Sequence, residues 1–285
     1  MSQGSIKSVN IKKVISSGNV VADLATQEDV LAIEEPLEIR MTYGPSDKRI
    51  TKNISVTMRT PGNDMELACG FLFTEGIIQS FSQIESIAHF NSLLNPENIV
   101  VASIKPEVVF DLSKLDRNFY TTSSCGVCGK ASINAVKTTG AQHQNTDTDG
   151  LKVNSELIHQ LPDILRKKQD VFESTGGLHA SALFDTSGNL MMLREDVGRH
   201  NALDKLIGAA LESGIVPLSQ HILLLSGRAS FELIQKAAMA GIQIVAAVGA
   251  PSSLAVEMAE DFNITLIGFL RNGRFNIYSG AQRLA

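Results

Sequence analysis

The sequence predicts an α/β protein, α+β overall, with a smaller N-terminal α+β domain and a C-terminal domain built on a mixed, largely parallel sheet. Two observations predict this fold class. In the second half of the chain, short apolar runs alternate with helical patterns of about ten residues, which is typical of βαβ crossovers. In the first half, strands with alternating polar and apolar residues surround a single helix.

A polar stretch between these two patterns marks the domain junction. Thr121–Gly150 is rich in Thr, Ser, Gly, Gln, Asn and Asp, so it can bury little apolar surface and should be mostly loop. The length of 285 residues corresponds to about two domains. We therefore divide the chain into an N-terminal domain (1–115), a polar loop (116–150) and a C-terminal domain (151–285).

The N-terminal elements begin with a hairpin whose turn is Gly44–Asp47. Asp64 is placed to cap the helix that follows, and Gly76 lies just past the end of that helix. The predicted elements, in order, are strands Glu38–Tyr43 and Ile54–Thr60, helix Asp64–Glu75, and strands Asn98–Ile104 and Val108–Leu112.

The C-terminal elements include two strands that are apolar throughout, Ile222–Leu225 and Ile244–Val248, which fits burial on both faces. Ser230 and Ser252 occupy expected N-cap positions, and Gly241 an expected C-cap position. The predicted elements, in order, are helix Asn154–Glu173, strands Ala180–Phe184 and Leu190–Leu193, helix Val197–Ser213, strand His221–Leu225, helix Ser230–Ala240, strand Gln243–Val248, helix Ser252–Phe262 and strand Thr265–Phe269.

The composition argues against several classes of protein. The 25 basic and 30 acidic residues give a net charge of −5, which disfavours nucleic-acid binding. Three cysteines, an odd number, argue against a secreted disulfide scaffold and fit a reducing compartment. No apolar run approaches the roughly 18 residues that span a membrane, and the start lacks a signal-peptide pattern. We therefore expect a cytoplasmic protein without membrane contact.

Two loops that follow predicted strands combine small residues, serines and a helix start. Ser226–Ser230 follows one strand and Gly249–Ser253 follows the next. Backbone N–H groups in such loops can bind an anion or a phosphate, and Arg228 could add a charge-assisted contact. Small residues also serve ordinary tight turns and caps, and the loops alone do not decide between the two interpretations.

A third loop, Arg194–Asn201, carries several ionisable groups at a helix start. One interpretation is a solvated turn in which Asp196 is the N-cap. The other is a polar site in which His200 or Asp196 orients a ligand or shuttles protons. The density of charge slightly favours the solvated turn.

Cys125 and Cys128 are the most specific feature of the polar loop. Two thiols at this spacing, flanked by glycines, can share a metal ion, form a disulfide or exchange sulfur. A zinc site would need two further ligands, and the histidines have no regular spacing to this pair. Cys69 lies in the middle of a predicted apolar helix and is expected to be a buried packing residue. The spacing of the two cysteines alone does not decide between metal binding and sulfur chemistry.

Several long motifs in the same order resemble the formate dehydrogenase accessory sulfurtransferase family, FdhD. The resemblance extends from about residue 35 to the C-terminus. The motifs are Ala68–Ile78, with its Gly-Phe-x-x-x-Glu-Gly-Ile pattern, Cys125–Gly129, Glu195–Lys205, Ser226–Ser230 and Gly268–Arg274.

The resemblance implies a sulfurtransferase with a cysteine persulfide intermediate. Such a protein would take sulfur from a cysteine desulfurase and pass it to the molybdenum (or tungsten) bis-molybdopterin guanine dinucleotide. The sulfurated cofactor would then enter formate dehydrogenase. By motif, Cys125 would carry the persulfide and Cys128 would be its partner. The cofactor is thus a bound substrate, for which a guanine nucleotide is the expected surrogate ligand.

The resemblance also implies a cytidine-deaminase-like, three-layer C-terminal domain. We further expect a homodimer. Deaminases hold zinc at two helix starts that correspond to Gly198–His200 and Gly227–Ala229, where this chain has no cysteine, so we expect no metal site. The residues assigned to cofactor binding are Asp196, Arg199, His200, Ser226, Gly227, Arg228, Ser230, Gly249, Ser252, Phe269, Leu270, Arg271, Asn272, Gly273 and Arg274.

Two other classes of protein stay open from the residues alone. A metal- or cofactor-binding chaperone would use Cys125 and Cys128 as ligands without sulfur transfer. A thiol oxidoreductase would cycle the same pair through a stable disulfide. The resemblance favours the sulfur carrier over both.

Overall fold

The structure is a computed structural model that describes residues 5–14, 16–17, 20–21, 25–90, 97–109, 151–168, 175–271 and 273–285. The polar loop with Cys125 and Cys128 lies outside the described residues, as does Asn272. The predicted strand Val108–Leu112 lies mostly outside them too. The boundaries between the three predicted segments therefore stay predictions. The predicted helix Asn154–Glu173 is wrong at its end, because the helix ends at Arg166 and Lys167 is its C-cap residue.

The N-terminal half is built on a four-stranded sheet in the order β6–β5–β8–β7. The central pair β5–β8 is parallel, and both outer pairs are antiparallel. Two small antiparallel pairs, β1–β4 and β2–β3, precede it. The elements are β1 (Ile6–Lys13), β2 (Ser16–Ser17), β3 (Val20–Val21), β4 (Ala25–Ala32), β5 (Glu35–Tyr43), β6 (Ile50–Arg59), α1 (Asp64–Thr74), a 3-10 turn (Phe81–Gln83), β7 (Ile84–His89) and β8 (Ile99–Ile104).

The C-terminal half is built on a six-stranded sheet in the order β10–β9–β11–β12–β13–β14. The three central strands β11, β12 and β13 are parallel, whereas the outer pairings are antiparallel, so the sheet is mixed as predicted. The elements are α2 (Ser155–Arg166), β9 (His179–Phe184), β10 (Leu190–Asp196), α3 (Arg199–Glu212), β11 (Ile222–Leu225), α4 (Phe231–Met239), β12 (Ile244–Ala247), α5 (Ser253–Asp261), β13 (Thr265–Arg271), β14 (Arg274–Ser279) and a 3-10 turn (Ala281–Arg283).

Helices cover both faces of this sheet, which gives three layers. Alternate residues of a strand point to opposite faces. Ile222 and Leu224 of β11 pack in the cluster that contains α2, whereas Leu223 and Leu225 pack in the larger cluster with α3, α4 and α5. The apolar runs read from the sequence are therefore central strands that are buried on both sides.

Helix α1 joins the two halves of the molecule through a close crossing with α3. A Cβ atom at Gly70 would lie 1.9 Å from the carbonyl oxygen of Asp204, and one at Gly208 would lie 1.9 Å from that of Glu66. Both positions therefore require glycine. Close to the crossing, the Lys236 ammonium of α4 contacts the Asp204 carboxylate at 2.8 Å and the Thr74 hydroxyl at 2.9 Å.

The cap of α1 differs from the sequence-based expectation. Asn63, in the left-handed conformation with φ of 58°, is the N-cap residue, and Asp64 is the first helical residue. The Asp64 carboxylate instead binds the buried Arg59 guanidinium, with Nε and Nη2 at 3.0 and 2.9 Å. The expectation that Asp64 caps the helix is wrong because this ion pair holds its side chain.

Candidate functional site

Four loops meet at one edge of the six-stranded sheet. Strands β11, β12 and β13 are parallel, so their carboxyl ends lie side by side. Strand β9 begins at the same edge, where Ser181 pairs with Leu225, and β10 ends there, where Asp196 pairs with His179. This edge is where open α/β sheets bind ligands. It brings together every described residue that the sequence assigned to cofactor binding.

The loops at Gly227 and Gly249 pack directly on each other. The Gly249 N–H donates to the Gly227 carbonyl at 3.0 Å, and the Ala229 N–H donates to the Ala250 carbonyl at 3.2 Å. A Cβ atom at Gly249 would lie 3.0–3.1 Å from the Gly227 oxygen and the Arg228 backbone. The small residues thus serve the contact between two loops, and they set the shape of the edge.

Three of the serines in these loops, which the sequence assigned to cofactor binding, have different partners. Ser252 is the N-cap of α5, and its hydroxyl accepts from the Ala255 N–H at 3.2 Å, which confirms the predicted cap. Ser226 Oγ accepts from the Ala180 N–H at 2.8 Å and ties β11 to β9. Ser230 occupies the N-cap position of α4 without a side-chain cap bond, and its hydroxyl lies 3.3 Å from His200 Nε2 instead.

Asp196 is fully buried beneath the β10–α3 loop, and both carboxylate oxygens are engaged. Oδ2 accepts from the Lys205 ammonium at 2.7 Å and from the Thr60 N–H at 3.1 Å. Oδ1 accepts from the Gly198 N–H at 2.8 Å and from Asn201 Nδ2 at 3.1 Å. The N-cap of α3 is Gly198, so the interpretation of Asp196 as the cap is wrong. The geometry gives Asp196 the task of fixing the loop that presents Arg199 and His200.

His200 forms a polar cluster with the first turn of α4. Its Nε2 lies 2.8 Å from Glu232 Oε2 and 3.3 Å from the Ser230 hydroxyl. Glu232 Oε1 and the Arg199 Nε are buried without a hydrogen-bond partner in the described part of the chain. Sequence reasoning did not single out Glu232, although an acid two residues after a helix N-cap was a usable signal.

His179, at the start of β9, is a second imidazole that sequence reasoning did not assign to the site. Burial lowers its pKa, and the neighbouring Arg199, His200 and Arg228 lower it further against an opposing effect of Asp196. His179 is therefore held in the neutral form at neutral pH. Its Nδ1 lies 3.1 Å from the position that a Cβ atom at Gly227 would occupy.

The end of β13 has an irregular backbone. Phe269 adopts a φ of 54°, which is uncommon for a bulky residue, next to a register shift between Gly268 and Arg271. The Arg271 guanidinium lies over the Phe269 ring at 5.8 Å, and the neighbouring Gly273 has a φ of 69°. Backbone strain of this kind is commonest at functional sites. Arg271 and Arg274 are both exposed here.

A cleft of about 730 Å³ opens at this edge, between the sheet and α2. Four residues that the sequence assigned to cofactor binding line it, namely Ser226, Leu270, Arg271 and Gly273. Its opposite wall is one face of α2 together with residues 176–179, none of which was assigned from the sequence. Which face of a helix borders a cleft depends on tertiary packing, so periodicity could not reveal it.

Cys69 lies in α1, away from this edge, and is 2% exposed. Burial raises the pKa of its thiol to about 12, with smaller effects of Glu212 and Glu66 in the same direction. The prediction that Cys69 is a packing residue is confirmed, because such a thiol is almost never ionised at neutral pH.

The described residues contain neither a membrane-spanning helix nor a cluster of metal ligands. No helix among them is long and apolar enough to cross a membrane. Within the same ranges, no group of three or more His, Cys, Asp or Glu side chains is arranged to hold a metal ion.

Comparison with known proteins gives consistent matches over most of the chain. The FdhD/NarQ family model matches residues 32–285. The "Sulfur carrier protein FdhD" of Streptomyces avermitilis is 50% identical over 266 residues, which is 92% of this chain and 91% of that protein. The protein of the same name from Sulfolobus acidocaldarius is 42% identical over 260 residues, covering 91% of this chain and 93% of that one.

A solved structure has the same fold. A crystal structure described as that of a formate dehydrogenase accessory protein from Desulfotalea psychrophila matches with a TM-score of 0.69 and 21% identity. The match covers 98% of this chain and 99% of that one. It supports the mixed α/β fold that the sequence predicted.

Proposed function

The chain belongs to the FdhD/NarQ family, and from this premise we propose that it is a sulfur carrier for formate dehydrogenase. In this proposal Cys125 accepts persulfide sulfur from a cysteine desulfurase. The sulfur then passes to molybdenum bis-molybdopterin guanine dinucleotide, which is the substrate, before this cofactor enters formate dehydrogenase.

The loop edge of the six-stranded sheet is the structural observation that supports this proposal. Four arginines lie in these loops or at the ends of the elements beside them, next to a cleft of about 730 Å³, namely Arg199, Arg228, Arg271 and Arg274. Guanidinium groups bind phosphates by charge-assisted, bidentate hydrogen bonds. A dinucleotide substrate with two pyrophosphates suits such an edge, although the whole chain has a net charge of −5.

Sulfur loading follows from thiol exchange chemistry. The Cys125 thiolate attacks the outer sulfur of the desulfurase persulfide, the S–S bond of that persulfide breaks, and the desulfurase cysteine leaves as a thiolate. For delivery, the Cys128 thiolate attacks Sγ of Cys125 and expels the outer sulfur as hydrosulfide towards the docked substrate. The two cysteines supply both electrons for this reduction and end as a disulfide, which a cellular thiol reduces again.

A cyanolysis assay tests the loading step. After incubation with a cysteine desulfurase and cysteine, the wild-type protein should release thiocyanate, and Cys125→Ala should release almost none. Cys69→Ala is the matched control, because its buried thiol should not contribute. Equal thiocyanate from Cys125→Ala and wild type would contradict the proposal. Stoichiometric zinc bound through Cys125 and Cys128 would favour the chaperone instead.

Three further parts of the proposal concern location and assembly. We place the protein in the cytoplasm, where the desulfurase and the cofactor would be available, and we propose a homodimer. Light scattering of the purified protein at micromolar concentration tests the dimer. Co-purification with tagged formate dehydrogenase tests the third part, which is direct association with that enzyme.

A further inference from the structure

One face of α2 forms a wall of the cleft that no sequence motif assigned. His159, Pro162, Asp163 and Arg166 have the spacing i, i+3, i+4, i+7, which places them on the same side of a helix. All four line the cleft, opposite Ser226, Leu270 and Arg271 at the loop edge. The cleft volume of about 730 Å³ lies within the range of about 300–1,000 Å³ that is typical of ligand sites.

The charges along the cleft wall are uneven. Among the described residues that line the cleft, Asp163 alone carries a carboxylate, whereas Arg166 and Arg271 carry positive charges. The Asp163 side chain is exposed, and within the described ranges no hydrogen bond or ion pair engages its carboxylate. A carboxylate repels a phosphate, so in a cleft that binds a nucleotide the Asp163 side chain would contribute favourably only by contacting a ligand group that donates hydrogen bonds.

We propose that Asp163 determines specificity by reading the 2-amino-4-oxo-pyrimidine edge of the substrate. This edge has two adjacent N–H donors, and an ionised carboxylate accepts from both at once. Adenine presents one donor and one acceptor on the corresponding edge, so its ring nitrogen would face a carboxylate oxygen. The inference rests on the proposed function, because both guanine and pterin, the two ring systems of the proposed substrate, carry this edge.

Arg166 and Arg271 complete the arrangement. Arg166 lies one helical turn after Asp163 on the same face of α2, and Arg271 lies across the cleft at the end of β13. They provide positive charge for a phosphate, while Asp163 provides the acceptor for the ring. The ring and the phosphate of one ligand would therefore contact different side chains of the same cleft.

Titration calorimetry with diphosphates tests this assignment. The wild-type protein should bind GDP about tenfold or more tightly than ADP, because only guanine offers two adjacent donors to the carboxylate. Asp163→Asn should weaken GDP binding by a similar factor and improve binding of xanthosine diphosphate, whose C2 carbonyl can accept from the new amide. Glu156→Gln is the matched control, because Glu156 is an exposed acid of α2 outside the cleft lining.

A second arm distinguishes guanine from pterin. Neopterin carries the same edge without phosphates, and its binding should fall in Asp163→Asn only if the cleft holds the pterin end of the substrate. Loss of GDP binding alone assigns Asp163 to the guanine end, and loss of neopterin binding alone assigns it to the pterin end. Either result supports the inference.

The failure of the inference is distinct from that of the proposed function. If Asp163→Asn binds GDP and neopterin as tightly as wild type does, the specificity role is wrong, while cyanolysis still decides the sulfur carrier. If the wild-type protein binds ADP and GDP with equal affinity, the proposed recognition of the guanine edge is also wrong. If the wild-type protein binds neither GDP nor neopterin, both the inference and the docking of the proposed substrate are wrong.

Discussion

Replacing Asp196 by asparagine tests whether this carboxylate fixes the β10–α3 loop or contacts the ligand. Asp196 is fully buried and accepts four hydrogen bonds, two on each oxygen. Asparagine has the same shape but a single acceptor oxygen and no charge. At least two donors would therefore face an NH₂ group, and the Lys205 ammonium would stay buried without a counter-charge.

The expected loss of stability is large. Removing one partner of a buried ion pair costs about 3–5 kcal/mol, which is a substantial part of the roughly 5–15 kcal/mol that stabilises a domain. Urea unfolding followed by circular dichroism should show this loss as a lower midpoint with an unchanged slope. The double variant Asp196→Asn with Lys205→Met should recover part of it, because the unpaired charge is removed.

An unchanged stability together with a loss of ligand binding would contradict the structural role of Asp196. If the free energy of unfolding of Asp196→Asn stays within about 0.5 kcal/mol of wild type, as is usual for a surface substitution, and GDP binding falls about tenfold or more, Asp196 is a ligand contact. The structural account of its four hydrogen bonds would then be wrong.

Three further predictions concern α1, α3 and β9. In a variant with serine at positions 125 and 128, Cys69 should react with a thiol reagent only after unfolding, because burial raises its pKa to about 12; rapid native-state labelling would refute this. Gly208→Ala should cost about 1–3 kcal/mol in urea unfolding, since its Cβ would lie 1.9 Å from the Glu66 oxygen, whereas Glu212→Ala should stay within about 0.5 kcal/mol. The lowered pKa of His179 means that its contribution to stability is complete above pH 6.5 and is lost as the pH falls through its folded-state pKa. His179→Gln should lose less stability than wild type over that acidic range, and identical profiles would contradict the assignment.

The sequence predicted best those elements whose pattern is local. Ile222–Leu225 and Ile244–Ala247 are the buried parallel strands that their apolar runs indicated, and Ser252 caps α5 as its position indicated. The hairpin of β5 and β6 was also predicted, since its alternation and turn residues are contiguous. These features depend on neighbours in the sequence, which is why periodicity and turn chemistry could reveal them.

The features that the sequence did not predict depend on tertiary contacts. Strands β1 and β4 are largely exposed and polar, so no apolar pattern marks them. Strand β14 was not predicted either, although its first residue, Arg274, ends one of the motifs. Asp64 has the chemistry of a cap, but the buried Arg59 engages it. Glu232 and His179 join the site because α4 and β9 begin at the same sheet edge, which no local pattern encodes.

Delivery of sulfur is the step that tests the central claim most directly. The protein is loaded with radiolabelled sulfur on Cys125, freed of the desulfurase, and mixed with molybdenum bis-molybdopterin guanine dinucleotide and the apo form of formate dehydrogenase. We expect label in the cofactor of the enzyme together with formate oxidation, and neither from protein carrying Cys125→Ala. Formate oxidation without transfer of label, or equal transfer by the Cys125→Ala protein, would contradict the account.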